Sequence, residues 1–148
     1  MDKHMNHAAG RPALISVTGK QTEPFDDEVE FITDGLFSRQ GEDYFISYRE
    51  TALTGMDDSQ TLLHVEPARV TLIRTGGLGG TSLVFEQGRK HHSPYSVPMG
   101  TVNIAVAAAK VGIALGDHGG EVAVDYAVEV EHAVTMETSL RVKVQPRM

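Results

Sequence analysis

Arg74 has the most demanding chemistry in this sequence, because its position turns a permanent positive charge toward a core. It ends the run Val70, Leu72, Arg74, in which every second residue faces the same side of a predicted strand. The alternation that buries the two aliphatic side chains therefore also points the guanidinium inward. A buried guanidinium without a partner is very costly in a medium of low dielectric constant. We therefore expect a carboxylate or a bound anion within hydrogen-bonding distance of Arg74.

A second alternating run, residues 44–50, supplies groups that could meet this guanidinium. Its inward face carries two phenols, among them Tyr48, and the carboxylate of Glu50. Two interpretations stay open. In the first, Arg74 lies at a rim or pairs with a carboxylate such as Glu50 as internal support. In the second, Arg74 receives an anionic ligand together with tyrosines and His91.

Two adjacent histidines, His91 and His92, stand in the segment KHHSPY of residues 90–95. Imidazoles bind metals and transfer protons, but neighbouring residues of a regular strand point to opposite faces. The pair therefore cannot line one cavity, and the other histidines lack the spacing of a metal-ligand motif, so we predict no metal site and no cofactor. The predicted ligand-binding residues are Arg74, Tyr48, Glu50, His91 and Tyr95.

Composition and missing motifs exclude several classes of function. The chain has no cysteine, which excludes disulfides, thiolate metal sites and cysteine nucleophiles. Thirteen Lys and Arg residues against 20 Asp and Glu residues give a net charge of −7, which argues against a nucleic-acid partner. No apolar run approaches the roughly 18 residues of a membrane-spanning helix. Neither a Gly-x-Ser-x-Gly elbow nor a His-Glu-x-x-His helix occurs, so no catalytic residue is predicted.

The elements that must position these residues are short strands separated by turns. Residues 122–130 and 136–144 alternate between apolar and polar side chains, which is typical of a half-buried strand. Similar runs cover residues 14–20, 28–33, 44–49, 60–65, 69–75, 81–86, 101–107 and 111–115. Between the last two we expect a turn near residues 108–110. The spacing of the turns predicts about ten antiparallel strands in one sandwich or barrel.

The last two strands allow a specific prediction of register. An antiparallel pairing that keeps Val130 and Met136 on one apolar face places residues 132–134 in a three-residue loop. The same register sets Asp125 directly opposite Arg141.

The chain is predicted to hold one domain, since 148 residues are typical of a single core. Residues 1–12 are polar and show no periodicity, so we interpret them as a flexible tail before a barrel at residues 13–148. Without cysteine or an apolar signal segment, the sequence favours a cytoplasmic protein.

Several motifs resemble, in order, those of the YwiB-like family of uncharacterised bacterial proteins. They are ISVTGKQ at 15–21, EFITDG at 30–35, YFISY at 44–48 with LTG at 53–55, VTLIR at 70–74, FEQG at 85–88, SPY at 93–95 and PMGT at 98–101. The family is grouped with the calycins, so the resemblance implies a single closed antiparallel meander barrel of the lipocalin type. It implies no established activity.

Three functions follow as hypotheses. The first is a binding module that holds a small apolar or anionic molecule inside the barrel. The second is a structural or protein-interaction barrel whose interior is filled by side chains, and the third is an acid–base enzyme. A small molecule is therefore the expected partner, and the sequence leaves the oligomeric state open.

Overall fold

The computed structural model describes residues 10–23, 26–50, 59–76, 81–97, 99–131 and 133–147. These residues form ten strands and no helix. The strands are β1 (Arg11–Glu23), β2 (Asp27–Gln40), β3 (Asp43–Arg49), β4 (Ser59–Glu66), β5 (Arg69–Gly76), β6 (Thr81–Phe85), β7 (Lys90–Val97), β8 (Gly100–Gly116), β9 (Gly119–Val130) and β10 (Ala133–Pro146). Within the described ranges, no helix is long and apolar enough to cross a membrane.

All neighbouring strands run antiparallel in one sheet of order β6-β5-β4-β3-β2-β1-β10-β9-β8-β7. β1 pairs with both β2 and β10, which brings the first and last strands together. The two edge strands also approach each other, since the Ser93 hydroxyl on β7 donates to the Ser82 carbonyl on β6 at 3.0 Å. The sheet is therefore a nearly closed barrel, and the predicted all-β fold of ten antiparallel strands is confirmed.

The interior of this barrel is filled at one end. Phe37, Ile46, Leu63 and Phe85 face this end and are almost inaccessible to solvent. Burying a large apolar side chain contributes about 1.5–3 kcal/mol to folding, so this packed end holds the barrel together. Farther along β3, β4 and β5 the inward positions include the polar residues Glu50, Thr61 and Arg74, and the interior opens.

The prediction of two strands across residues 101–115 is wrong, because this segment forms the single strand β8. β8 pairs with β9 over almost its whole length, and its register shifts between Ala108 and Lys110. A β-bulge at this point absorbs one extra residue, so the strand bends without ending. The signals that predicted a turn therefore mark a bulge.

β7 is an edge strand of the sheet that no alternating run in the sequence predicts. It contains Pro94, which has no backbone N–H to donate to a neighbouring strand. β7 is an edge strand that forms a ladder with β8 alone among the described strands, so the sheet tolerates this proline. The count of ten strands is still correct, because two predicted strands form the single strand β8 and the unpredicted β7 adds one.

The predicted register of the last hairpin is also wrong. Val130 pairs with Ala133, and after a shift between Val134 and Met136 the ladder sets Asp125 opposite Ser139. The connection between β9 and β10 is shorter than predicted, which shifts the cross-strand partners. The bulge then restores the alternation that keeps the apolar side chains inside. The predicted faces are therefore correct, while the predicted cross-strand partners are not.

β1 begins at Arg11, two residues before the predicted domain boundary. The Arg147 backbone N–H donates to the Pro12 carbonyl at 2.9 Å, which ties the start of the barrel to its last strand. The rest of the predicted tail, residues 1–9, lies outside the described residues, as does most of the glycine-rich turn at 76–80.

Candidate functional site

The inward polar residues of β3, β4 and β5 meet in one buried network. Glu50 directly follows β3, and its backbone N–H donates to the Ser59 carbonyl at 2.9 Å, which continues the pairing of β3 with β4. Thr61 on β4 lies directly opposite Arg74 on β5 in the ladder. The Thr61 hydroxyl donates to Oε2 of Glu50 and lies 3.4 Å from Nε of Arg74. Strand alternation and register together therefore bring these three polar side chains to one place in the interior.

The predicted partner of Arg74 is confirmed to be Glu50. Nη2 of Arg74 lies 3.5 Å from Oε2 of Glu50. The Glu50 side chain is only 3% exposed, whereas the Arg74 side chain is 24% exposed. The carboxylate is therefore held inside the wall, and the guanidinium reaches from this wall into the more open part of the barrel.

Tyr48 supports this network from the same inward face of β3. Its ring packs edge-on against Phe31, with ring centroids 6.2 Å apart. Burial raises the pKa of Tyr48 strongly, and the nearby Glu50 carboxylate raises it further, while Arg74 and Thr61 oppose the shift. The phenol is therefore a neutral hydrogen-bonding group at physiological pH, and not a base.

A cavity of about 690 Å³ occupies the open end of the barrel, beside the exposed side of Arg74. This volume lies within the range typical of small-molecule sites. Its aliphatic lining comes from β2, β6, β8 and β9: Val29, Leu83, Val102, Ile104, Val128 and Val130. The polar residues that also line it, besides Arg74, include Gln21, Asp27, Thr81 and Thr138. Gly19 on β1 also lines the cavity, and a Cβ placed there would meet no atom within 4 Å. The missing side chain at Gly19 is therefore part of what keeps this end open.

Tyr126 on β9 lines the same cavity and was not among the predicted site residues. Its ring packs against Phe85 with centroids 4.6 Å apart. Burial raises its pKa, while the charge of Arg74 lowers it. A usable signal was present in the sequence, since Tyr126 lies on the apolar face of the alternating run 122–130.

The structure places His91 beside Glu86 and does not bring it to Arg74, with which the sequence grouped it. Its Nε2 atom is 3.0 Å from Oε1 of Glu86, at the seam between β6 and β7. Glu86 follows Phe85, which pairs with Val70, four residues before Arg74 on β5. Continuing this register sets Glu86 beside Arg69, five residues from Arg74, so at 3.3 Å per residue Glu86 and Arg74 lie about 16 Å apart along the strand. The histidine contributes to closing the barrel seam instead.

Tyr95, the remaining predicted site residue, lies on β7 opposite Val102 of β8. Its backbone position is therefore beside the cavity wall, because Val102 lines the cavity. The placement of its side chain lies outside the described part of the structure.

Comparisons with known proteins agree with this architecture. The crystal structure of the ywiB protein from Bacillus subtilis is similar, with a TM-score of 0.80 over 93% of each chain and 16% sequence identity. No curated protein matches the sequence. Residues 15–142 match the family described as "Domain of unknown function (DUF1934)". This match spans most of the chain and confirms the YwiB-like resemblance, so the protein belongs to the DUF1934 family.

Proposed function

We propose that this protein binds a small amphipathic anion in the open half of its barrel. The observation that carries this proposal is the cavity of about 690 Å³ with aliphatic walls and the guanidinium of Arg74 on one side. Small-molecule sites typically combine an apolar lining with a few oriented polar groups, and small barrels of this kind can hold one ligand. A cytoplasmic location and a preference for small molecules over nucleic acids belong to the same proposal.

Asp27 also lines the cavity, but Arg74 and Tyr126 offer the hydrogen-bond donors on which the proposal of an anion rests. The contacts of Arg74 with Glu50 and Thr61 are long, at 3.5 and 3.4 Å, and use only the Nη2 and Nε atoms of its guanidinium group. The guanidinium therefore has N–H donors available for a ligand. Tyr126 is protonated, so its phenol can donate a further hydrogen bond. A carboxylate or sulfonate could accept from both groups while an apolar body contacts the valines that line the cavity.

Two fluorescent probes test this proposal directly. Anilinonaphthalene sulfonate carries an aromatic body and a negative charge, and phenylnaphthylamine carries a similar body without the charge. We expect the wild-type chain to bind the charged probe with saturable fluorescence, and Arg74→Met to weaken this binding at least tenfold while changing the affinity for the neutral probe little. A tenfold change corresponds to about 1.4 kcal/mol, well within the reach of one charge-assisted hydrogen bond.

Two further variants control this measurement. Glu50→Gln keeps Arg74 but removes its counter-charge, so binding of the charged probe is expected to tighten. Arg141→Met removes an arginine whose side chain is 63% exposed and pairs with Glu121, and it is expected to leave probe binding unchanged. Equal loss of both probes in Arg74→Met, or equal loss in Arg141→Met, would contradict an anion site at Arg74.

Filling the cavity from Gly19 provides an independent prediction. Gly19→Leu places an aliphatic side chain where a Cβ has open space, and it replaces a glycine in a strand interior. We expect this variant to weaken both probes at least tenfold and to raise the melting temperature. Gly112→Leu is the matched control, because Gly112 lies on the exposed face of β8 and its Cβ would meet only an ordinary contact at 3.7 Å. Unchanged probe binding in Gly19→Leu would place the probes outside the barrel.

A protein-interaction role is the second candidate. It is supported by a depression of about 910 Å³ on the outer face of β2, β1 and β10. The charged residues that line this depression include Lys20, Arg141, Glu28 and Glu30. The packed half of the barrel also fits that hypothesis. The probe experiments separate the two functions, because an outer-face site would be insensitive to both Arg74→Met and Gly19→Leu.

A further inference from the structure

Three metal-ligating side chains meet on the outer face of the barrel, away from the cavity. On β3 and β4 the ladder pairs Phe45 with His64, and continuing this register sets Asp43 opposite Glu66. Directly paired and alternate residues of a sheet share one face, so all four side chains point to the same side. This side is the exterior, because the intervening residues of both strands belong to the core.

The ligand atoms of these residues are close enough to share one ion. One nitrogen of His64 and one carboxylate oxygen each from Asp43 and Glu66 lie within 4.8 Å of one another. Nε2 of His64 is 2.9 Å from Oδ2 of Asp43. Donor atoms around a tetrahedral zinc ion lie about 3.4 Å apart, given metal–ligand distances near 2.1 Å. A small widening of this contact would therefore admit a metal ion.

The imidazole of His64 is held in a fixed orientation by its neighbour on β3. Its ring stacks on Phe45 with centroids 4.5 Å apart and an angle of 18° between the planes. The side chains of His64 and Asp43 are 31% and 34% exposed, so the nitrogen can be reached from solvent. A ligand ring that is already oriented loses less conformational entropy when a metal binds.

Glu66 is oriented by an interaction of the kind that supports metal ligands. Nε and Nη2 of Arg69 donate to its two carboxylate oxygens at 2.9 and 3.0 Å. Each oxygen keeps a further lone pair, and carboxylates that bind metals are commonly hydrogen-bonded in this way.

We propose that Asp43, His64 and Glu66 form a binding site for a divalent transition-metal ion of the zinc class. One imidazole and two carboxylates suit zinc, with a fourth position left for water. With Arg69 included, the site carries one net negative charge before the metal binds, which favours a divalent cation. The residues are separated by 21 positions between Asp43 and His64, so no local spacing motif reveals them.

Titration calorimetry of the full chain with zinc chloride tests this site. The chain holds seven histidines, so the readout must be specific for each residue. We expect one saturable site in the wild type, weakened at least about tenfold by His64→Gln and by Asp43→Asn. His118→Gln is the matched control, because His118 is exposed in the turn between β8 and β9, and it is expected to leave the affinity unchanged.

A second readout keeps the test independent of folding effects. Cobalt substituted for zinc gives visible absorption bands that report nitrogen and oxygen ligands, and Asp43→Asn should alter them while the circular dichroism spectrum stays that of the wild type. Wild-type affinity in both Asp43→Asn and His64→Gln would overturn the proposal. So would the absence of saturable zinc binding in the wild-type chain.

Discussion

Replacing Arg74 by methionine is expected to lower the free energy of unfolding by about 3 kcal/mol, and adding Glu50→Gln to that variant is expected to restore most of it. The reason lies in the unequal exposure of the pair, since Glu50 is 3% exposed and Arg74 is 24% exposed. Removing the arginine leaves a buried carboxylate with the Thr61 hydroxyl as its remaining hydrogen-bond donor among the described contacts. The expected loss lies at the lower end of values for buried pairs, because solvent partly screens Arg74.

Urea unfolding of the four chains of this double-mutant cycle provides the measurement. The wild type, Arg74→Met, Glu50→Gln and the double variant should unfold with similar denaturant dependence, so that differences in midpoint report stability alone. Arg141→Met controls for the loss of any arginine, because its ion pair with Glu121 is solvent-exposed and contributes little. Two results would contradict this prediction. One is a loss of stability in Arg74→Met no larger than that in Arg141→Met, and the other is no recovery of stability in the double variant. Either would show that Glu50 does not depend on Arg74 as its buried partner.

Replacing Gly35 by alanine is expected to destabilise the barrel by about 3 kcal/mol or more. Gly35 lies on β2, where a Cβ would clash with the Ser47 carbonyl oxygen and would come within 2.8 Å of Cγ1 of Ile15. The oxygen belongs to the backbone of β3 and Ile15 is fully buried, so neither can move without disturbing the packed end of the barrel. Overpacking against backbone is relieved only by shifting the strands apart.

Thermal melting followed by circular dichroism measures this effect. For a domain of this size, the expected loss lowers the melting temperature by about 10 °C. Gly19→Ala is the matched control, because the same added methyl group meets no atom within 4 Å on β1. It should melt at or slightly above the wild-type temperature. Equal melting temperatures for the two alanine variants would show that the close approach at Gly35 is absent.

The two glycines illustrate how one barrel combines a packed end with an open end. At Gly35 the strands approach closely, and the interior beyond it is filled by aromatic and aliphatic side chains. At Gly19 the missing side chain leaves space at the cavity wall. Identical residue types therefore serve opposite purposes, and the distance to the neighbouring strands distinguishes them.

The sequence by itself determined most of the strands and their inward faces, and it offered a partner for the main inward charge. Alternation in residues 70–74 correctly turned Arg74 inward, and alternation in residues 44–50 correctly offered Glu50 as its partner. These inferences succeed because the direction of a side chain along a strand is a local property of the backbone, with a period of two residues. The same local rule misread residues 108–110 as a turn, because a bulge and a turn both interrupt the alternation.

Only the tertiary structure decided which strands became neighbours and how far their registers shifted. It placed His91 on Glu86 instead of near Arg74, and it brought Asp43 to His64 from another strand. It also left one end of the barrel open, since the space beside Gly19 depends on the strands across the interior. Strand pairing, bulges and closure are set by the packing of the whole core. Many registers satisfy the local alternation equally well, and only the complete set of contacts selects one of them.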